Sequence, residues 1–157
     1  MALMTGDEIL EIATRLEENG EAFYASAADC ATTAGVKALF RDLALQERLH
    51  RRAFEAMAGG EVTLGFTAEQ HEEFLAYTDA LLRKEFFDGS GGALDRAAHA
   101  GDERSVLKAA LEFEKETLLF YHELEGIVGN ADRETVAGII QEEKQHIQRL
   151  SKMLAAV

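Results

Sequence analysis

The sequence contains no proline and only one cysteine, Cys30, among its 157 residues. Because proline interrupts helices, its absence permits long ones, and the many alanine, leucine, glutamate and arginine residues favour them. We therefore expect an all-α fold. A single cysteine allows no disulfide within the chain and excludes a four-cysteine zinc or iron site. A reducing cytoplasm is the expected location, with Cys30 a small unreactive residue near a helix end.

Positive charge is also scarce, and long apolar runs are missing. The formal net charge is −13, which argues against nucleic acid and anionic membranes as partners. No apolar run approaches the ~20 residues of a membrane span. The segment Met1–Leu10 has no basic region and turns acidic at Asp7, so we expect no secretory signal. The length predicts a single domain over residues 1–157.

One short pattern of glutamate, tyrosine and histidine occurs twice. Two histidines each have a glutamate three residues before them, a spacing that places both side chains on one face of a helix. Upstream of each pair lies another glutamate, with a tyrosine seven residues after it. The first copy comprises Glu17, Tyr24, Glu47 and His50, and the second comprises Glu114, Tyr121, Glu143 and His146. Nearly the same distance separates the two glutamates in both copies.

Apolar residues at helical spacing predict four long helices. The first begins at Thr5, the second ends at Gly59-Gly60, the third runs from Asp102 to Gly129-Asn130, and Asp132 caps the fourth. All six glutamates and histidines of the two copies lie within the apolar stripes. Because a solvated glutamate normally occupies the opposite face, these carboxylates are predicted to point into the bundle.

A long connection from Glu61 to about Gly101 joins the second and third helices. Thr67 can cap a helix within it, Gly89–Gly92 predicts a break, and a short helix is expected over Ala93–Ala100. The fold predicted is a four-helix bundle with a long helical crossover, and the two copies predict a pseudo-two-fold relation between helix pairs.

Four glutamates inside an apolar bundle require compensating charge, because an uncompensated buried ion costs several kcal/mol. Two divalent ions would balance four carboxylates, and two neutral imidazoles would complete the ligand set. Carboxylate with imidazole suits iron or manganese, and zinc could also occupy such a site. The predicted metal ligands are Glu17, Glu47, His50, Glu114, Glu143 and His146.

Other polar residues near the predicted ligands are expected to have different roles. Tyr24 and Tyr121 either donate a hydrogen bond to a ligand carboxylate on the side away from the metal or are core aromatics whose hydroxyls find other partners. Gly20 within the first helix suggests close packing beside the site. We expect the remaining histidines and the glutamates that adjoin the ligands to be solvated: His71, His99, His122, Glu18, Glu116 and Glu142.

Four segments carry a family resemblance. LEENGEAFY at 16–24, LALQERLH at 43–50, EFEKETLLFY at 112–121 and QEEKQH at 141–146 resemble the di-iron domain of rubrerythrins, within the ferritin-like superfamily. The resemblance implies a ferritin-like bundle that holds two iron ions. It implies that Glu47 and Glu143 bridge the metals, and that the other four ligands are terminal. Which terminal ligands share an ion is left open.

The resemblance also implies a function. Such domains use a diferrous centre to reduce hydrogen peroxide to water, and some oxidise iron with oxygen. The four-cysteine electron-delivering module of full rubrerythrins is not found here, so turnover would need an external donor such as a rubredoxin-like protein. Thr117 stands where rubrerythrins carry an additional glutamate, which puts ligand switching in doubt. A homodimer is expected.

The sequence is therefore compatible with three hypotheses about the function of the protein. The first is a non-haem di-iron peroxidase. The second is an iron-binding or ferroxidase protein that handles iron without a dedicated substrate. The third is a helical bundle whose metal is only structural.

Overall fold

The computed structural model describes residues 5–60, 65, 67–82, 93–99 and 101–157, and these form six α-helices and no strand. The long helices have the bounds α1 Gly6–Cys30, α2 Ala34–Ala58, α5 Glu103–Ile127 and α6 Asn130–Ala156. Two shorter helices, α3 Ala68–Leu82 and α4 Ala93–Ala98, lie in the connection between α2 and α5. The predicted all-α bundle with a helical crossover is confirmed.

The long helices form two hairpins that pack against each other. α1 contacts mainly α2, and α5 contacts mainly α6, while α1–α5 and α2–α6 contacts join the two hairpins. Connections of two or three residues make each hairpin antiparallel. The Glu103 carboxylate at the start of α5 accepts hydrogen bonds of 2.7 Å from the backbone N–H groups of Thr32 and Thr33. The second hairpin is thereby anchored to the turn of the first.

Most helix ends agree with the sequence. Thr5 and Glu8 form the predicted capping box, Thr67 and Gln70 exchange the corresponding hydrogen bonds, and Asp102 caps α5. The prediction for α6 was wrong by three residues. Gly129 is its N-cap, and its carbonyl accepts from the backbone N–H of Asp132 at 3.1 Å. Asp132 therefore lies in the first turn, where a carboxylate favours the helix dipole.

One prediction for the crossover is wrong, and it concerns the burial of a histidine. His71, expected at the surface, is only 4% exposed. It shares one face of α3 with the buried Phe74 and Thr78, at the helical spacing of residues that pack inward, and α3 lies against α5. His99 and His122 are exposed as predicted. The predicted break at 89–92 lies outside the described residues.

The apolar core is divided in two by a layer of polar side chains. One cluster, which includes Phe23, Phe40 and Leu107, fills the end of the bundle where α1 joins α2. The other, which includes Ile9 and Phe54, fills the opposite end. The buried glutamates and histidines lie between them along the four long helices. Among the described helices, none combines the length and apolar character that a membrane span requires.

Candidate metal centre

All six residues predicted as metal ligands meet in this polar layer. Each long helix contributes at least one, and each of the six is at most 2% exposed. They are Glu17 from α1, Glu47 and His50 from α2, Glu114 from α5, and Glu143 and His146 from α6. Since four carboxylates share one buried layer, their charge has to be balanced inside the protein.

The six side chains form two overlapping groups, in each of which the candidate ligand atoms lie within 4.8 Å of one another. The first group contains Glu17 and His50, and the second contains Glu114 and His146. Glu47 and Glu143 belong to both. The sequence left open which ligands would share an ion. In each geometric group, the glutamate and the histidine that are not shared with the other group come from the same hairpin.

Glu143 lies between the two histidines. Its Oε1 is 2.9 Å from Nδ1 of His50, and its Oε2 is 2.9 Å from Nδ1 of His146. The two imidazole rings face each other with centroids 5.5 Å apart. Glu47 approaches His146 Nδ1 at 3.2 Å. Both histidines therefore turn Nδ1 toward the carboxylates, as a ligand nitrogen would be placed.

Two tyrosines support the terminal carboxylates from the opposite hairpin. The Tyr24 hydroxyl donates to Glu114 Oε1, and the Tyr121 hydroxyl donates to Glu17 Oε1. The sequence offered a hydrogen bond to a carboxylate as one role for each tyrosine. It did not predict that each tyrosine would bond to the glutamate of the other half. Both tyrosines are fully buried, and burial, with the nearby carboxylates, raises the pKa of each phenol well above its usual value. Both hydroxyls therefore remain donors.

Two residues that sequence reasoning did not assign to the site hold the outer nitrogens of the imidazoles. Gln46 Oε1 lies 2.8 Å from Nε2 of His146, and Glu142 Oε2 lies 2.6 Å from Nε2 of His50. Glu142 is 54% exposed, as expected of a solvated residue, but it also contacts the site. Both residues directly precede a shared glutamate, and that repeated position is the sequence feature that could have revealed them.

Several buried polar atoms in the layer make no hydrogen bond of good geometry. Glu17 Oε2 and Glu114 Oε2 have no hydrogen-bond partner, and the contacts of Glu47 Oε1 and Glu143 Oε2 with His146 Nδ1, at 3.2 and 2.9 Å, lack hydrogen-bond geometry. Buried polar groups in proteins are normally hydrogen-bonded, so an orphaned set in one place needs an explanation. Carboxylate oxygens and an imidazole nitrogen converging on one interior volume fit divalent transition ions of the iron type. The residues present therefore fit the metal pair implied by the sequence.

The electrostatics of the layer point the same way. Burial raises the pKa of Glu17 and Glu47 well above the usual range and that of Glu114 to about 8. Burial also acts on Glu143, but the imidazoles of His146 and His50 outweigh it and leave its pKa lowered. Without metal, protons must supply the missing positive charge.

The histidines respond to the same carboxylates. Burial alone would lower the pKa of His50, but the adjacent carboxylates, Glu143 foremost, raise it to about 9. The carboxylates of Glu114, Glu143 and Glu47 likewise outweigh burial and raise the pKa of His146. Without metal, the carboxylates therefore favour the protonated form of both rings, and a metal ion bound at Nδ1 would replace the proton there.

The position three residues after each terminal glutamate differs between the halves. A Cβ at Gly20 would lie 3.1 Å from Glu47 Oε2 and 3.0 Å from the Phe113 ring, so glycine leaves room for Glu47. The matching residue, Thr117, is 1% exposed, and its hydroxyl has no hydrogen-bond partner. The position that carries the additional glutamate in rubrerythrins is therefore buried here but uncharged.

A four-helix bundle with four carboxylates and two imidazoles in its interior has the architecture of the ferritin-like di-iron carboxylate proteins. The rubrerythrin family model matches residues 8–154, and the chain belongs to the rubrerythrin family. The crystal structure of a protein from Thermotoga maritima, described as a ferritin-like diiron-carboxylate protein, has a TM-score of 0.71 and 25% identity to this chain. The similarity covers 99% of this chain and 97% of that one. No curated protein sequence matches the chain.

The Gly20→Ala variant should weaken metal binding. Alanine normally stabilises a helix interior by ~1 kcal/mol over glycine, but here the added methyl group would push against Glu47 and Phe113. We expect no gain in stability and a loss of roughly tenfold in Fe(II) affinity, the lower end of effects seen when ligand supports are altered. Anaerobic Fe(II) titration and thermal unfolding measure the two quantities.

Gly138→Ala is the matched control, because Gly138 also lies within a long helix and a Cβ there would meet nothing within 4 Å. This variant should gain about 1 kcal/mol of stability and bind metal normally. If Gly20→Ala behaved in the same way, Gly20 would not be needed to make room for Glu47.

Without metal, the protein should lose stability as the pH rises from about 5 to about 9. The raised pKa values of Glu17, Glu47, Glu114 and His50 mean that the folded protein keeps protons which the unfolded chain releases over this range. Stability falls with pH wherever the folded state binds more protons. Chemical denaturation at a series of pH values, with a chelator present, measures the slope.

Glu114→Gln provides the control for this pH dependence. The amide has the shape of the protonated acid but no proton to release, so the slope between about pH 5 and about 8 should become shallower. A metal-free wild-type protein that gained stability over this range would contradict the assignment of raised pKa values.

Proposed function

We propose that this protein binds two iron ions and reduces hydrogen peroxide to water with electrons from an external donor. The observation that carries the proposal is the pair of overlapping ligand groups that share Glu47 and Glu143. Two adjacent ions with shared carboxylates can deliver two electrons to one O–O bond, and hydrogen peroxide requires two electrons and two protons to become two water molecules. Manganese or zinc would bind the same donors, but zinc has no redox chemistry of its own.

The residues have distinct roles in this proposal. Glu17 and His50 would hold one ion, Glu114 and His146 would hold the other, and Glu47 and Glu143 belong to both ligand groups and could serve both ions. Tyr24 and Tyr121 fix the terminal carboxylates through their hydroxyl groups and stay protonated. The two apolar clusters on either side exclude bulk water from the layer, which strengthens every electrostatic interaction within it.

The source of electrons is a further part of the proposal. The two electrons that reduce each peroxide would have to be replaced before the next turnover, and we propose a small one-electron carrier such as a rubredoxin-like protein as their source. The expected homodimer and the expected cytoplasmic location stay predictions.

Glu47→Ala and Glu143→Ala should each abolish stable binding of the metal pair, because each removes a carboxylate shared by both groups. Glu17→Ala removes a ligand from one group only and should leave one ion bound. Anaerobic loading with Fe(II), desalting and metal analysis give the iron content per chain. Circular dichroism establishes that each variant is folded.

Glu18→Ala is the control, since Glu18 adjoins Glu17 but points to solvent with its side chain 51% exposed. It should bind two ions. Two ions per chain in either Glu47→Ala or Glu143→Ala would contradict the bridging assignment, and two ions in Glu17→Ala would contradict its role as a terminal ligand.

Stopped-flow absorbance tests the proposed substrate. The diferrous protein, mixed anaerobically with hydrogen peroxide or aerobically with oxygen, should be oxidised to the diferric state much faster by peroxide. The Glu47→Ala variant, loaded in the same way, should show no such phase. Oxidation by oxygen at an equal or higher rate would replace the peroxidase with a ferroxidase function. No oxidation by either would leave a structural metal site.

A further inference from the structure

The two Glu-x-x-His motifs hold each other's histidines through the residue that precedes each glutamate. Gln46, before Glu47, faces Nε2 of His146 at 2.8 Å. Glu142, before Glu143, faces Nε2 of His50 at 2.6 Å. Because the two positions correspond in the repeated pattern, the arrangement follows the pseudo-two-fold relation of the hairpins. The two acceptor groups break this symmetry, since Gln46 offers a neutral amide and Glu142 offers a carboxylate.

The tautomer of a metal-bound ring follows from the geometry. Nδ1 of each histidine faces the carboxylates of the site, so an ion bound there would take the Nδ1 lone pair. The ring proton then resides on Nε2 and is donated outward. A carboxylate that accepts a hydrogen bond from this Nε2–H group makes the imidazole a stronger electron-pair donor to the metal than an amide acceptor does.

The amide partner is fixed in its orientation. The Gln46 side-chain N–H donates to Asp42 at 2.8 Å, which turns the amide oxygen toward His146. Asp42 in turn lies 2.7 Å from the Arg149 guanidinium, so its negative charge is compensated. On this side the ring therefore meets a neutral acceptor, backed by a neutralised ion pair.

Each half has the same two glutamates, one tyrosine and one histidine in the buried layer, and the Gly20–Thr117 difference is neutral. Glu142 differs from the other charged residues around the layer because its carboxylate contacts a candidate ligand directly, at His50, where the matching residue Gln46 is neutral.

We propose that Glu142 and Gln46 are positioning residues that make the two metal positions unequal. The position held by Glu17 and His50 would bind metal more tightly and stabilise the ferric state better than the position held by Glu114 and His146. The first electron taken from the diferrous pair would thus come from a defined ion. This proposal rests on the metal site of the proposed function.

Glu142→Gln is the decisive variant, because it removes the charge but keeps a hydrogen-bond acceptor of the same shape on a half-exposed residue. Mössbauer spectra of the wild-type diferrous protein should contain two distinct iron signals that approach each other in the variant. Affinity for one of the two Fe(II) ions should fall about tenfold in a competitive chelator titration. The gap between the two one-electron reduction potentials should narrow.

Gln46→Glu is the matched variant, since it places a carboxylate on the second imidazole. It should also narrow the gap between the two one-electron reduction potentials, but by lowering the potential of the ion at Glu114 and His146. The double variant with Gln46→Glu and Glu142→Gln should reverse which of the two metal positions has the lower potential. A purely structural contact would change protein stability in these variants without moving the separation of the potentials.

The outcomes distinguish the two proposals. A wild-type protein that fails to bind two ions would overturn the proposed function. A wild-type protein with two ions whose Mössbauer signals and potentials do not respond to Glu142→Gln would overturn the asymmetry alone. Equal displacement of both potentials would overturn it as well, because a general loss of negative charge would then account for the effect.

Discussion

Four carboxylates buried in one layer of a helical bundle impose the constraint on which the rest of the structure depends. Water cannot solvate them there, so charge has to be balanced by protons, by imidazolium or by metal. The raised pKa values of three glutamates and both histidines express the first two solutions. Glu17 Oε2 and Glu114 Oε2 also lack a hydrogen-bond partner in the layer. Two divalent ions would satisfy the charge and the missing contacts together.

The same constraint links the two hairpins, because each candidate ligand group contains residues from both. Each hairpin supplies two glutamates and one histidine, but the tyrosine that fixes each terminal carboxylate comes from the opposite hairpin. The acceptor for each outer imidazole nitrogen is exchanged in the same way. Because support passes across the interface, neither candidate metal position is complete until the hairpins have packed together.

The sequence predicted the helices and the faces they bury, because periodicity and capping residues are local properties of the chain. The repeated motif identified six side chains that meet in the structure, since residues three apart on a helix share a face. The errors concern relations that local patterns do not contain. His71 is buried because α3 packs on α5. Glu142 is exposed as predicted, but its contact with His50 depends on the approach of α2 and α6, which the local pattern does not contain. The start of α6 depended on a backbone cap by Gly129, which has no side-chain signature.

The charge difference between the halves lies at the residues that contact the outer imidazole nitrogens, where a substitution costs less free energy than within the buried layer. Replacing one of the buried glutamates would change the charge balance of the layer. The residues behind the imidazoles lie at the edge of the layer, where Glu142 is half exposed and water lowers the cost of its charge. A change there alters the imidazole through one hydrogen bond and leaves packing intact. The edge of the layer is therefore where two halves with the same buried glutamates, histidines and tyrosines can differ in charge without a change in the buried set.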